Sequence, residues 1–127
     1  MRVLLVEDNR ALRALLSQML RPVGMRIVFE CGTQHEALAW LEAHRDGWDL
    51  ALVDLFLAEG HGFALLRHCA SRSPAQKMVL MTNYMREPVA ARAAEAGADA
   101  FFDKATQMEE LIAYCIDAMH GVGQRAR

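Results

Sequence analysis

Cysteine is scarce in this 127-residue chain. Cys31, Cys69 and Cys115 are far apart, odd in number and form no C-x-x-C pair. That argues against a disulfide framework or a thiolate metal site and predicts three reduced, partly buried thiols. Charge of one sign is lacking too: the formal net charge is −2, so nothing electrostatic asks for nucleic acid or an anionic membrane. No apolar run approaches the roughly 20 residues that span a bilayer. The chain opens directly into a strand-like run, so no signal peptide is expected, and neither is a location outside the cytoplasm. Proline is confined to Pro22, Pro74 and Pro88. The first strand-like run ends in Glu7-Asp8-Asn9 without a glycine-rich turn, which argues against a dinucleotide-binding fingerprint. The five histidines are scattered without ligand spacing, and there is no internal repeat.

What is present is alternation. Apolar residues make up 54% of the chain, enough for one well-formed core at this length. Val3 to Val6, Leu50 to Val53 and Met78 to Met81 are short, wholly apolar runs, as in strands buried on both faces of a parallel sheet. Arg26 to Cys31 and Ala100 to Asp103 read as two further strands. Between them lie helical patterns. The first carries Leu12, Leu15, Leu16, Met19 and Leu20, with Asp8 or Asn9 as cap, and stops at Pro22 and Gly24. The second opens on Thr33 with Glu36 three residues on, a capping box. The third lies near Phe63 to Ala70, and the fourth, alanine-rich with Val89 its only large aliphatic residue, near Glu87 to Ala96. The last runs from about Gln107 to Met119. The thin fourth helix is expected to shift easily. Five βα units predict an α/β fold, a doubly wound parallel sheet covered by helices on both faces. Residues 1–120 form the domain, with 121–127 a flexible tail or the start of a linker.

In such a sheet the site lies at the carboxyl ends of the strands. Those positions hold Glu7 and Asp8, Asp54, Thr82 and Lys104. Gathered carboxylates repel unless a cation joins them, and a hard divalent ion such as Mg²⁺ suits oxygen ligands and phosphate. Lys104 would approach a phosphate as a point charge, Thr82 would donate to a phosphoryl oxygen, and Asp54 would be the nucleophile that forms an aspartyl phosphate.

The pieces LLVEDN at Leu4 to Asn9, ALVDLFLAEGHG at Ala51 to Gly62, LMTN at Leu80 to Asn83 and GADAFFDK at Gly97 to Lys104 resemble the receiver domain of two-component response regulators, from residue 2 to about 120. The resemblance implies a flavodoxin-like strand order of 2-1-3-4-5. It implies Glu7, Asp8, Asp54 and the backbone carbonyl of Phe56 as the Mg²⁺ ligands, Asp54 as phosphoacceptor, Thr82 as the switch hydroxyl, Lys104 as the phosphate-pairing lysine and Phe101 as an aromatic rotor. Phosphorylation would then reshape the surface of the fourth helix, fifth strand and fifth helix. The implied partners are a histidine kinase or phosphotransfer protein and a downstream protein or effector domain; direct DNA binding and membrane association are not expected. Residues on the first helix, Arg10, Arg13, Ala14 and Ser17, are candidates for kinase specificity.

The sequence departs from the family at Ala58, where proline is common, which predicts a more mobile loop after Asp54. It departs again at Ala105, where many members have a proline with a cis bond, so the slow isomerisation and sharp turn of a cis proline are expected to be absent. Asn83 stands where a small residue is common, and an altered dephosphorylation rate is expected. Trp40 and Trp48 are not expected at the site. Two other readings stand beside this one. A haloacid-dehalogenase-type phosphohydrolase uses a similar set but needs an acid/base Asp two residues after the nucleophile, where this chain has Phe56. A degenerate, phosphate-independent interaction module would have lost a key acid or the lysine, and neither is lost here. The chain is expected to be a phosphoacceptor that assists its own chemistry rather than an enzyme acting on a separate substrate.

Overall fold

The computed structural model describes residues 1–83 and 87–125. Its elements run β1 (Arg2–Val6), α1 (Arg10–Leu20), β2 (Arg26–Cys31), α2 (Gln34–Ala43), β3 (Leu50–Asp54), α3 (Gly62–His68), β4 (Lys77–Thr82), α4 (Glu87–Glu95), β5 (Ala100–Asp103) and α5 (Met108–Arg125). The five strands are all parallel, in the order β2-β1-β3-β4-β5. This is the expected doubly wound architecture, with the apolar runs in the three central strands.

Every residue of β3 is buried, as are Val3 to Val6 of β1. Alternate side chains feed two cores. Leu4, Val6, Ala51, Val53, Met78 and Leu80 pack with α2, α3 and α4, whereas Val3, Leu5, Leu50, Leu52, Val79 and Met81 pack with α1 and α5. The edge strand β2 is mostly half-buried.

Local signals place the helices. Asn9 caps α1 by accepting from the amide of Leu12 at 3.1 Å, and the chain leaves α1 through a 3-10 turn at Arg21–Val23 that contains Pro22. Thr33 Oγ1 accepts from the amide of Glu36 at 3.2 Å, and its hydroxyl donates to Glu36 Oε1 at 3.0 Å. The capping box therefore closes on the hydroxyl itself.

Three expectations are corrected. Leu15, placed by periodicity on the apolar stripe of α1, is 46% exposed, because α1 turns Leu12, Leu16, Ser17 and Leu20 to the sheet. Ser17 and Arg13 are accordingly not free surface positions: Ser17 is buried, and Arg13 is half-buried and donates to the Glu7 carbonyl. Helix α5 continues to Arg125, past Gly121 and Gly123, where its end was expected near Met119. A glycine inside a helix costs only about 1 kcal/mol. Ala126 and Arg127 lie outside the described residues. Helix α4 is as thin as its composition predicts: Ala93 alone is buried among its described side chains. All three cysteines are free and buried, more so than expected.

Candidate functional site

Four strands end at one place. β1 delivers Glu7 and Asp8, β3 delivers Asp54, β4 delivers Thr82, and β5 delivers Lys104 one residue past its end. Together with Asn9, Phe56 and Asn83 they line a cavity of about 380 Å³. Parallel registry produces this convergence. Val6 pairs with Val53, Asp54 with Met81 and Thr82 with Asp103, so successive strands finish at one level. The chain beyond Asp54 stays close because the amide of Leu55 donates to the Met81 carbonyl at 2.8 Å and that of Gly62 to the Leu55 carbonyl at 2.9 Å. Gly62 permits this: a Cβ there would lie 2.9 Å from the carbonyl oxygen of Asp54 and 3.0 Å from the side chains of Leu80 and Val53.

Lys104 is the centre of the charge arrangement. Its Nζ lies 3.0 Å from Asp54 Oδ2 and 3.2 and 3.3 Å from the two oxygens of Glu7. Asp8 completes the acid group: Glu7, Asp8 and Asp54 each offer a carboxylate oxygen, and these oxygens lie within 4.8 Å of one another. Glu7 is fully buried, and its carboxylate also accepts from the amide of Asn9 at 3.1 Å. Asp54 is 3% exposed and accepts from the amide of Phe56 at 3.3 Å. Asp8 is exposed.

Three carboxylates around one ammonium leave an excess of negative charge in a site where Glu7 and Asp54 are buried. Burial and the neighbouring Asp54 push the Glu7 carboxyl up to about 7, against the opposing pull of Lys104. Asp54 is also pushed up by burial, with Lys104 opposing. Lys104, despite its burial, is held above the usual lysine range by Asp54 and Glu7. The oxygen-only donor set, its small spread and its uncompensated charge fit a hard divalent cation such as Mg²⁺.

All the sequence-predicted site residues except Phe101 line this cavity. Phe101 is half-buried and packs on the α2–α4 core, opposite Leu80 in the strand register. Phe56 is 51% exposed, and its main chain borders the cavity through the bond to Asp54. Neither Trp40 nor Trp48 lines it. Trp40 stacks between Phe29 and His44, at 5.5 and 4.5 Å between ring centroids. Two contributors were missed by sequence reasoning. Asn9, read only as a cap, also holds Glu7, and Gln34, on α2, bonds to the loop after Asp54. Asn9 could have been found from its place beside the acidic pair; nothing in the sequence marks Gln34.

Comparison with known proteins bears on the whole chain. A family model described as the response regulator receiver domain matches residues 3–116. The transcriptional regulatory protein PdtaR of Mycobacterium tuberculosis is 33% identical over 111 residues, which are 87% of this chain and 53% of PdtaR. The KDP operon transcriptional regulatory protein KdpE of Escherichia coli is 36% identical over 109 residues, 86% of this chain and 47% of KdpE. A two-component response regulator of the LuxR family from Aurantimonas sp. SI85-9A1 superposes with a TM-score of 0.80 at 25% identity, over 94% of this chain and 85% of that one. The chain spans about half the length of the curated relatives it matches.

Proposed function

The chain belongs to the response regulator receiver domain family, and from that premise we propose that it is a phosphorylation-operated switch in which Asp54 accepts the phosphoryl group. The observation that carries this reading is the placement of Asp54. It is a nearly buried carboxylate at a strand end, 3.0 Å from the only ammonium among the described residues of the cavity, within a cluster of acids.

The chemistry follows from the side chains. An oxygen of ionised Asp54 attacks the phosphorus of a phosphohistidine on a kinase or phosphotransfer protein. The P–N bond breaks, its electron pair returns to the imidazole nitrogen, and an acyl phosphate forms. Lys104, already beside Asp54, neutralises charge on the incoming phosphoryl oxygens. Glu7, Asp8, Asp54 and the Phe56 carbonyl would hold Mg²⁺, which when bound offsets the mutual repulsion of acid and phosphoryl group. Thr82, buried on the cavity wall, supplies a hydroxyl to a phosphoryl oxygen. Its movement vacates space for the ring of Phe101, and α4, which rests on the core through buried Ala93 and half-buried Val89 among its described side chains, follows. Asn83 lines the cavity, where its side chain would slow the approach of water to the acyl phosphate. The product is a changed α4–β5–α5 surface presented to a downstream partner, within the cytoplasm. The hydrolase reading gains nothing, because the position two residues after Asp54 offers an exposed phenyl ring and no acid/base group.

Two-dimensional amide spectra with Mg²⁺, before and after adding beryllofluoride, test this reading. Shifts at Asp54, Thr82, Phe101 and α4 are expected in the wild type and none in Asp54→Ala. Shifts confined to the cavity would sink the rotor role of Phe101. Absence of any shift would favour a phosphate-independent interaction module.

A further inference from the structure

The loop between β3 and α3 is held from outside. Within itself it folds back through a bridge between Phe56 and His61 and a bond from the Leu57 amide to the Gly60 carbonyl at 3.3 Å. Its tip then meets the first residue of α2. The Gln34 amide donates to the Glu59 carbonyl at 3.0 Å, and the amide of His61 donates to Gln34 Oε1 at 3.0 Å. Gly60 sits between these two bonds with φ +87°, and a Cβ there would collide with the Gln34 side chain. The glycine is thus required twice, for its backbone conformation and for the approach of Gln34. Gln34 is itself fixed, because Thr33 caps α2 immediately before it.

The same loop carries Phe56, whose amide donates to Asp54 and whose carbonyl would be a ligand of the cation. The sequence has Ala58 where a proline would stiffen such a loop, which predicts mobility. The structure supplies another restraint in its place.

We propose that Gln34 is a positioning residue for the divalent-cation site: by clamping Glu59 and His61 it sets the loop that presents the Phe56 carbonyl. This rests on the reading of the cavity as a Mg²⁺ site, and the experiment separates the two. Mg²⁺ is titrated into wild type, Gln34→Ala and Gln34→Glu, following amide shifts of residues 54–62, with amide exchange measured on the same samples. Gln34→Ala is expected to bind Mg²⁺ about tenfold more weakly, the low end for groups that hold a metal ligand in place. Its His61 amide should exchange faster while that of Leu52 does not change. Gln34→Glu, which keeps an acceptor for His61, should restore both the affinity and the protection. Gly60→Ala, which displaces Gln34 from the other side, should weaken binding in the same direction. Equal Mg²⁺ affinity in wild type and Gln34→Ala would overturn the clamp while leaving the cation site standing. No Mg²⁺ binding by the wild type would instead overturn the site, and the clamp's role with it.

Discussion

At the amino ends of β3 and β5, Asp49 and Asp99 each pair with one guanidinium; at the carboxyl ends of β1 and β3, Glu7 and Asp54 share a single ammonium, while Glu30 on β2 pairs with Arg13. Asp49, just before β3, accepts from the Arg2 amide at 2.7 Å and from its guanidinium at 3.1 and 3.2 Å. Arg2 holds the Asp49 carboxyl below the usual range despite its partial burial. Asp99, just before β5, accepts from Arg72 and from the Met78 amide, both at 2.8 Å. Glu7 and Asp54 at the other end share Lys104 and are both pushed up. The same residue types on the same sheet thus serve opposite ends. Matched pairs and backbone bonds at one pole hold the strands in register. Unmatched acids at the other weaken the folded state and leave a site with strong reason to take a cation or react with a phosphoryl group. Local charge imbalance, more than residue identity, distinguishes the two.

Breaking the matched pole should have the largest effect. Arg72 donates to the carbonyls of Cys69, Gln76 and Gly97 as well as to Asp99, and its side chain is 12% exposed. Arg72→Ala leaves several of these acceptors short of a donor and should cost about 3 kcal/mol in urea denaturation. A loss below about 1 kcal/mol would show the staple to be incidental.

Relieving the unmatched pole should act in the opposite direction and be smaller. The folded-state carboxyl of Glu7 lies near 7 against an ordinary value of 4.5, so the native protein holds a proton that the unfolded chain has released. Stability therefore falls as pH rises from the unfolded value through about 7. At the matched pole the sign is reversed. The lowered carboxyl of Asp49 stabilises above its unfolded value, and this is lost as pH falls through the folded one. Metal-free protein should be most stable at about pH 5, with a decline toward about pH 8. Glu7→Gln should flatten that decline and gain on the order of 2 kcal/mol at about pH 8. Excess Mg²⁺ should raise the wild-type melting temperature most at the alkaline end. A pH profile for Glu7→Gln parallel to the wild type would contradict the imbalance.

The smallest effect belongs to Arg2→Ala. Its side chain is 44% exposed and its pair with Asp49 is shared with water, so the cost should stay under about 1 kcal/mol and shrink further in high salt.

How far each pole could be read from sequence differs as well. The apolar runs ending in acids, a threonine and a lysine expose the carboxyl pole directly, because a parallel sheet brings strand ends together and side-chain type does the rest. Burial at that pole was not legible in the same way. Glu7 and Asp8 are neighbours in sequence, yet one is sealed and the other exposed, a consequence of strand alternation meeting the turn into α1. The Arg72 staple and the Gln34 clamp were invisible. They join residues 27 apart across loops, and neither periodicity nor a motif marks them. The exposure of Leu15 and the reach of α5 to Arg125 were missed because helical spacing and glycine content speak for local preference, whereas packing against the sheet decides which stripe is covered.

The central claim is that the crowded pole phosphorylates at Asp54. The most direct measurement is to incubate the protein with phosphoramidate and Mg²⁺, trap the product with borohydride, which reduces an aspartyl phosphate to homoserine, and locate the modified residue by peptide mass spectrometry. The account predicts homoserine at position 54, dependent on Mg²⁺ and absent from Asp54→Asn. Reduction at another acid, or no reduction in a protein that binds Mg²⁺, would contradict it.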